Sequence, residues 1–471
     1  MENAYILGGL RSYVGVVNGM YRHIPAEVLG AEVLKQVMEK YQLCEPDYII
    51  AGNGVGAGGN IARLMALTAG VDISVPAFTV DVQCGSGLES IAVAAAKINS
   101  GEADVIIAGG FESSSTQPRR GYNPNHPDYT GDEWYSVAKF MPGIHRETVM
   151  LEGAELAAKR EGITKEEMDS WVLRSHALAT QAREQGLLQN IIAPVCGAVK
   201  DEGIRPRMSQ RLLDRMPKVL EGGEFITAAN SCLINDGAAF VVLCSQKYLQ
   251  ERGLKAQARV LGSTACGGDP LVRPRTAITA LQKLLAKHGL QEQDIADFEL
   301  NEAFAVIDVL FARSFPHSVD KYNVFGGALA YGHPYGASGG IITLHLLEAL
   351  KQKGGRRHRH GAAAGKSGVK QMDYLTLIAQ QKQDKLALIE DEEEYTYARL
   401  AQEARRLRSK ADFSAPAIFI HESSIARQLI SFLAYSGTKT VPIIATEVSK
   451  NQQFCCDDIP QAACMGVMTS G

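Results

Sequence analysis

Residues 81–98, DVQCGSGLESIAVAAAKI, and residues 323–350, NVFGGALAYGHPYGASGGIITLHLLEAL, share one layout: an apolar strand, a glycine-rich loop, then a helical pattern. The match of GSGLESIAVAAAKI with GASGGIITLHLLEAL points to a duplicated βα unit. Strands and helices alternate elsewhere as well. DYIIAGN (47–53) and PAFTVDV (76–82) read as strands, and NIARLMALTAG (60–70) reads as a helix closed by glycine. ADVIIAGG (103–110) is short and apolar throughout, as in a buried parallel sheet. This alternation predicts an α/β fold.

With 471 residues, 46% hydrophobic and 21% charged, the chain has material for two to four domains. A formal charge of −4 leaves no general basic face, so nucleic acid is not an expected partner. No apolar stretch approaches the ~20 residues of a membrane span, and the N-terminus lacks the layout of a signal peptide. The cytoplasm is the expected compartment. Nine cysteines are scattered without paired metal-ligand spacing, and only Cys455 and Cys456 are adjacent, so no metal site is expected and the thiols read as reduced.

Cys84 follows the strand end TVDV and precedes Gly85, Ser86 and Gly87, which open an alanine-rich helix. At a helix N-terminus the unpaired N–H groups and the positive dipole end stabilise a thiolate, lowering a reference pKa of about 8.5. The bland alternative is a buried structural cysteine, and the strand, glycine and helix context favours the nucleophile. His333 lies in the echoing loop, and a histidine beside such a thiol is the arrangement that activates it. Taken alone, His333 reads equally as an ordinary loop histidine. Asn301 and Glu302, which follow the strand DFEL, complete a polar set. GNGVGAGGN also matches GxGxxG at Gly54, Gly56 and Gly59, with Asp72 beyond. A dinucleotide site there would leave the cysteine and GHP stretches unexplained.

GGNIAR (58–63), CGS at Cys84, AGGFES (108–113), NSCLINDGAA (230–239), NEAFA (301–305) and GGALAYGHPYGASG (326–339) together resemble the thiolase family over roughly residues 1–360. The resemblance implies the thiolase fold: duplicated βαβ halves in five layers (αβαβα), with an inserted loop domain. It places the N-terminal half at 1–115, the coenzyme A-binding insert and the return to that half at 116–250, and the C-terminal half at 251–365. It implies that Cys84 accepts the acyl group, that His333 activates it, and that Asn301 holds a water which binds the thioester oxygen. Coenzyme A thioesters would be substrates, with no permanently bound cofactor, and the protein would be a homodimer or homotetramer. Arg205, Arg207 and Arg211 of RPRMSQRLLDR (205–215) would meet the nucleotide phosphates, with a solvated helix face as the competing reading. Cys232, in TAANSC, stands where many thiolases carry a serine near the pantetheine.

Two departures bear on function. Thiolases carry a further cysteine in a CxG motif, but the corresponding stretch KGGRRHRHGAAAGKSGVKQMDYL (353–375) has none. General acid–base catalysis contributes typically 10²- to 10⁴-fold, so carbon–carbon bond chemistry should be depressed while acyl transfer to Cys84 is spared. The function expected is a thiolase-type acyl-CoA acyltransferase; the alternative is a thioester-binding or assembly protein that has lost this chemistry. The second departure is the tail. Residues 366–385 read as a linker or seam, and 386–471 resemble the start of an adenylate-forming acyl-CoA synthetase, reaching only Thr469, Ser470 and Gly471 of its TSGTTG loop. ATP ligation is not expected.

Overall fold

The computed structural model describes residues 3–131, 133–137, 139, 146–352, 360–364, 386–390, 393–409, 417–420 and 441–444. They divide between two units, Met1–Val369 and Lys370–Gly471.

The first unit begins with β1 (Tyr5–Arg11), β2 (Gly15–Val16), α1 (Ala26–Tyr41), β3 (Tyr48–Gly52), α2 (Ile61–Thr68), β4 (Ala77–Val80), α3 (Ser86–Asn99) and β5 (Val105–Ser113). The insert follows, with α4 (Val149–Glu161), α5 (Lys165–Glu184) and the single turn α6 (Gln210–Leu213). The chain returns through β6 (Asn235–Cys244), α7 (Gln246–Glu251) and β7 (Ala258–Arg259). The second half holds α8 (Pro274–His288), β8 (Ile295–Leu300), α9 (Ala305–Ser314), α10 (Ala328–Tyr331), α11 (Ser338–Gln352) and β9 (His360–Ala364).

One seven-stranded sheet runs β4-β3-β5-β6-β1-β7, with β2 added on β6. β3 is parallel to β4 and β5, while β6 is antiparallel to β5 and β1. Every residue of β5 and β6 is buried, so both faces of the sheet centre are covered. On one face α1 and α2 bring Leu29, Leu34 and Met65 against Phe111 and Phe240. On the other, α3 and α11 bring Ile91 and Leu344 against Ile50, Ile106 and Val241. Beyond α11 lie β8 and β9, a parallel pair, and outside them α8 and α9 bury Ile278, Leu281 and Phe311 against Phe298. Helix, sheet, helix, sheet, helix is the five-layer thiolase arrangement. Burying each such Leu, Ile or Phe contributes roughly 1.5–3 kcal/mol.

The sequence expectation fails at NVF. Asn323–Phe325 is a turn, with Asn323 at φ +42°, and only Tyr322 bridges to Phe298. The cause is the Asn323 side chain, which accepts the Leu300 N–H (2.9 Å) and donates to the Leu300 carbonyl (3.0 Å). It serves β8 as a neighbouring strand would, so the backbone is released to turn.

In the stretch 353–375, residues 360–364 form β9, with Ala364 opposite Leu300; the remainder lies outside the described residues. In the second unit, β10 (Leu386–Glu390) and β11 (Glu393–Thr396) form an antiparallel pair. α12 (Tyr397–Arg408) follows, and β12 (Ala417–Ile420) lies parallel to β13 (Val441–Ile444). The proposed seam at 366–385 and the terminal GVMTSG lie outside the described residues.

Candidate active site

Cys84 sits one residue ahead of Gly85, the N-cap of α3, and is half-buried. Its loop is tightly pinned. Gln83 adopts φ +56°, a region that non-glycine residues enter at a cost, and its N–H donates to Asp81 (2.9 Å). Ser86 Oγ accepts from the Val82 N–H (2.9 Å) and donates to the Gln83 carbonyl (2.5 Å). The serine side chain thus closes the loop that presents the thiol.

The start of α11 meets the start of α3 backbone to backbone. A Cβ on Gly339 would lie 2.0 Å from the Leu88 nitrogen, and one on Gly87 would lie 2.5 Å from the Gly336 carbonyl oxygen. Only glycine permits this approach. It brings the loop of His333 and the loop of Cys84, one from each half, to the same layer.

His333 is buried at 1% exposure. Its backbone N–H donates to Asn235 Oδ1 (2.8 Å), whose amide donates in turn to the Gly15 carbonyl (2.8 Å). Nδ1 lies 2.6 Å from Ser338 Oγ, which itself lies 2.9 Å from the Pro334 carbonyl oxygen. A hydroxyl has one hydrogen, and a carbonyl can only accept it, so Ser338 receives the hydrogen bond of Nδ1–H. The lone pair is left on Nε2, which lies 3.2 Å from Asn301 Nδ2. Asn301 stands just past β8, on a loop held by buried Glu302. That carboxylate accepts from Ser175 Oγ (2.7 Å), Asn323 Nδ2 (2.8 Å) and the Leu329 N–H (3.2 Å). Burial raises its pKa, and these hydrogen bonds oppose the rise.

Tyr335 packs edge-on against His333 with ring centroids 5.0 Å apart. Burial pushes its phenol far up, and Cys232, Cys84 and Glu112 are close enough to push it further. Cys232 is half-buried, and its N–H donates to the Ala303 carbonyl (3.0 Å); two residues on, Ile234 bridges to His333. Arg205, Arg207 and Arg211 are solvent-exposed, Arg211 on α6 and the others in the turn before it. The Arg205 N–H donates to His176 Nδ1 (3.1 Å), which lies on α5.

Three participants carry no local signal strong enough to pick out. Arg273, half-buried ahead of α8, donates to Met150 Sδ (2.9 Å); burial lowers its basicity, and Cys84 is near enough to oppose the drop. Ser338 lies within GASG and Glu112 within AGGFES, yet neither motif reveals what its side chain holds. Two of the three glycines of the GxGxxG match are spoken for. The Gly54 N–H donates to Glu112 (2.9 Å) and the Gly56 N–H to Asn53 Oδ1 (2.9 Å), so neither is left to cradle a phosphate. Among the described residues, no group of three or more His, Cys, Asp or Glu side chains is arranged to hold a metal ion.

Residues 4–247 match the family model of the thiolase N-terminal domain, and residues 254–389 that of the C-terminal domain. The putative acetyl-CoA C-acetyltransferase YhfS of Bacillus subtilis (strain 168) is 35% identical over 353 residues, covering 74% of this chain and 93% of its own. A probable acetyl-CoA acyltransferase of Staphylococcus aureus (strain COL) is 33% identical over 372 residues, with 75% and 94% covered. Among solved structures, the Bacillus anthracis acetyl-CoA acetyltransferase is similar at TM-score 0.72 and 29% identity, covering 78% of this chain and 97% of its own. Human mitochondrial 3-ketoacyl-CoA thiolase in complex with CoA gives TM-score 0.71 at 28% identity, with 78% and 96% covered. Two family models laid end to end between residues 4 and 389, and relatives that this chain spans nearly whole, lead to one conclusion: the chain belongs to the thiolase family.

Proposed function

We propose that the protein transfers acyl groups between coenzyme A thioesters through an acyl intermediate on Cys84. One observation carries the reading: His333 is held with its Nε2 lone pair beside Asn301 Nδ2 and its other nitrogen committed to Ser338, on a loop packed against that of Cys84. Nε2 takes the Cys84 proton as the sulfur attacks the thioester carbonyl carbon. The tetrahedral oxyanion collapses, the carbon–sulfur bond to coenzyme A breaks, and the departing thiolate recovers the proton from His333. Asn301, through a water, would hold the oxygen as charge develops; removing one such donor costs about 3 kcal/mol. A second coenzyme A thiol, or the α-carbon of another thioester, then takes the acyl group.

The first of these steps has the better support. No cysteine occurs between Cys266 and Cys455, and β9 reaches its end opposite Leu300, one residue before Asn301, without supplying one. The competing reading is a thioester-binding or assembly protein without turnover. Incubation with acetyl-CoA followed by intact mass spectrometry separates the two: an acetyl adduct is expected, absent in Cys84→Ser. No adduct on the wild-type protein would overturn the covalent reading. Thiolysis of acetoacetyl-CoA should run well below acyl exchange.

Exposed Arg205, Arg207 and Arg211 are suited to the coenzyme A phosphates, and Cys232, beside the Asn301 loop, to the pantetheine. We read the protein as a homodimer or homotetramer, because among the described residues β4 ends the seven-stranded sheet with an open edge and nearby Leu64, Leu67 and Ile73 are exposed. Among the described residues no cysteine forms a disulfide, and no helix is long and apolar enough to cross a membrane. The tail reads as the opening of an adenylate-forming synthetase on its hairpin, helix and parallel strand pair.

A further inference from the structure

Glu112, near the end of β5, is fully buried, and its carboxylate gathers four donors from two halves of the molecule. Oε1 accepts from Asn53 Nδ2 (3.0 Å) and the Val55 N–H (3.2 Å). Oε2 accepts from the Gly54 N–H (2.9 Å) and the Gly336 N–H (3.0 Å). Gly336 belongs to the histidine loop, next to Tyr335. Gly54 touches the cysteine loop as well, since a Cβ on it would lie 3.8 Å from the Gln83 Cα and 3.9 Å from the Tyr335 Cβ.

We propose that Glu112 is a positioning residue for Cys84 and His333, its ionised carboxylate clamping the histidine loop to the half that carries the cysteine. A carboxylate offers about four acceptor sites, and four N–H groups occupy them. A neutral carboxyl would turn an O–H toward one of those donors, so protonation releases one arm of the clamp. The groups facing Glu112 leave this proton equilibrium within physiological reach. Its register partner on β6 is Gly237, which has no side chain, the loop after β3 presents backbone and Asn53, the end of β4 presents Asp81, and the histidine loop presents Tyr335. Burial raises Glu112 to about 7, Asp81 adds to the rise, and the hydrogen bonds from Gly54, Gly336 and Val55 oppose it. The clamp therefore closes as pH rises through neutrality. Its effect on turnover rests on Cys84 being the acyl acceptor; its effect on the thiol does not.

The test is the rate of Cys84 alkylation by iodoacetamide, quantified by peptide mass spectrometry between about pH 5.5 and 9, for wild type, Glu112→Gln and Glu112→Asp. Beyond the rise from thiol ionisation, wild type should gain a further step near neutrality, on the order of tenfold, as His333 is brought into place. Glu112→Gln, which presents N–H groups to N–H donors, should stay on the low plateau, and Glu112→Asp should recover the step in part. A Glu112→Gln profile that superimposes on wild type, or a wild-type profile without the step, overturns the proposal. Circular dichroism identifies a variant that has not folded, in which case the wild-type step and Glu112→Asp decide. If acetyl-CoA leaves no adduct on wild type while the step is present, the acyl-transfer reading falls and the clamp stands; an adduct without the step gives the reverse.

Discussion

The single hydrogen of the Ser338 hydroxyl determines how His333 is used. With that hydrogen on the Pro334 carbonyl, Nδ1–H has its acceptor and Nε2 keeps the lone pair that the proposed acyl transfer calls for. Ser338→Ala frees the imidazole to take the other tautomer, and single-turnover acylation of Cys84 should slow by about tenfold or more. Asn301→Ala should slow the same step on the order of 10²- to 10³-fold, with coenzyme A affinity less affected. His176 gives a pH signature of a different kind. Burial lowers it from 6.5 to about 4, with Arg205 adding to the shift. A histidine held neutral in the fold contributes stability that is present above its unfolded pKa and is lost as pH falls from there through the folded value. Wild type should lose about 2 kcal/mol more than His176→Gln between pH 7 and 5, read from urea midpoints. Cys84, His333 and Asn301 stood out as candidates in the sequence because each sits where a strand or glycine loop gives way to a helix. Glu112 and Ser338 lay in visible motifs without a visible role, since Glu112 meets Gly336 at a separation of 224 residues. Arg273 had no signal, because only the fold brings it near Cys84.

At the scale of elements, the two helix starts are the hinge of the design. α3 and α11 were legible as an echo of one another, and their strands β3, β4, β5 and β8 followed from short apolar runs. What stayed hidden was how closely the helices approach and why the run NVF does not extend. Both depend on a partner elsewhere in the chain, Leu88 in one case and Leu300 in the other. Gly339→Ala places a methyl 2.0 Å from a backbone nitrogen, which no rotamer can relieve, so the helices must separate. Overpacking of this kind costs typically about 1–3 kcal/mol. Urea denaturation should register that loss, and Cys84 acylation should fall with it, because α3 and α11 carry the two loops. A folded Gly339→Ala protein with unchanged stability would refute the close approach.

For the whole molecule, the fold class was legible, and the C-terminal half drawn to residue 365 takes in β9, which ends at Ala364; the reading of the tail stays a proposal. RRHRHGAAAGKSG reads as a break in composition, yet part of it, His360–Ala364, is β9 and pairs along the length of β8. β8 carries Phe298 and Leu300 in the core and delivers Asn301, so β9 is needed wherever the active site is needed. The two sides of the break therefore have opposite consequences. A chain ending at Val369 keeps β9 and all three core clusters, and its thermal midpoint for the first unit and its Cys84 acylation should match those of the full chain. A chain ending at Gln352 strips β8 of its parallel partner, leaving five register pairs unmade and a buried strand with an open edge. It should melt at lower temperature, expose apolar surface to a hydrophobic dye, and lose acylation even though Cys84, Asn301 and His333 are all present. If the chain ending at Val369 also lost stability and acylation, the second unit would have to support the first, and the boundary would have to move toward residue 389, where the family match ends.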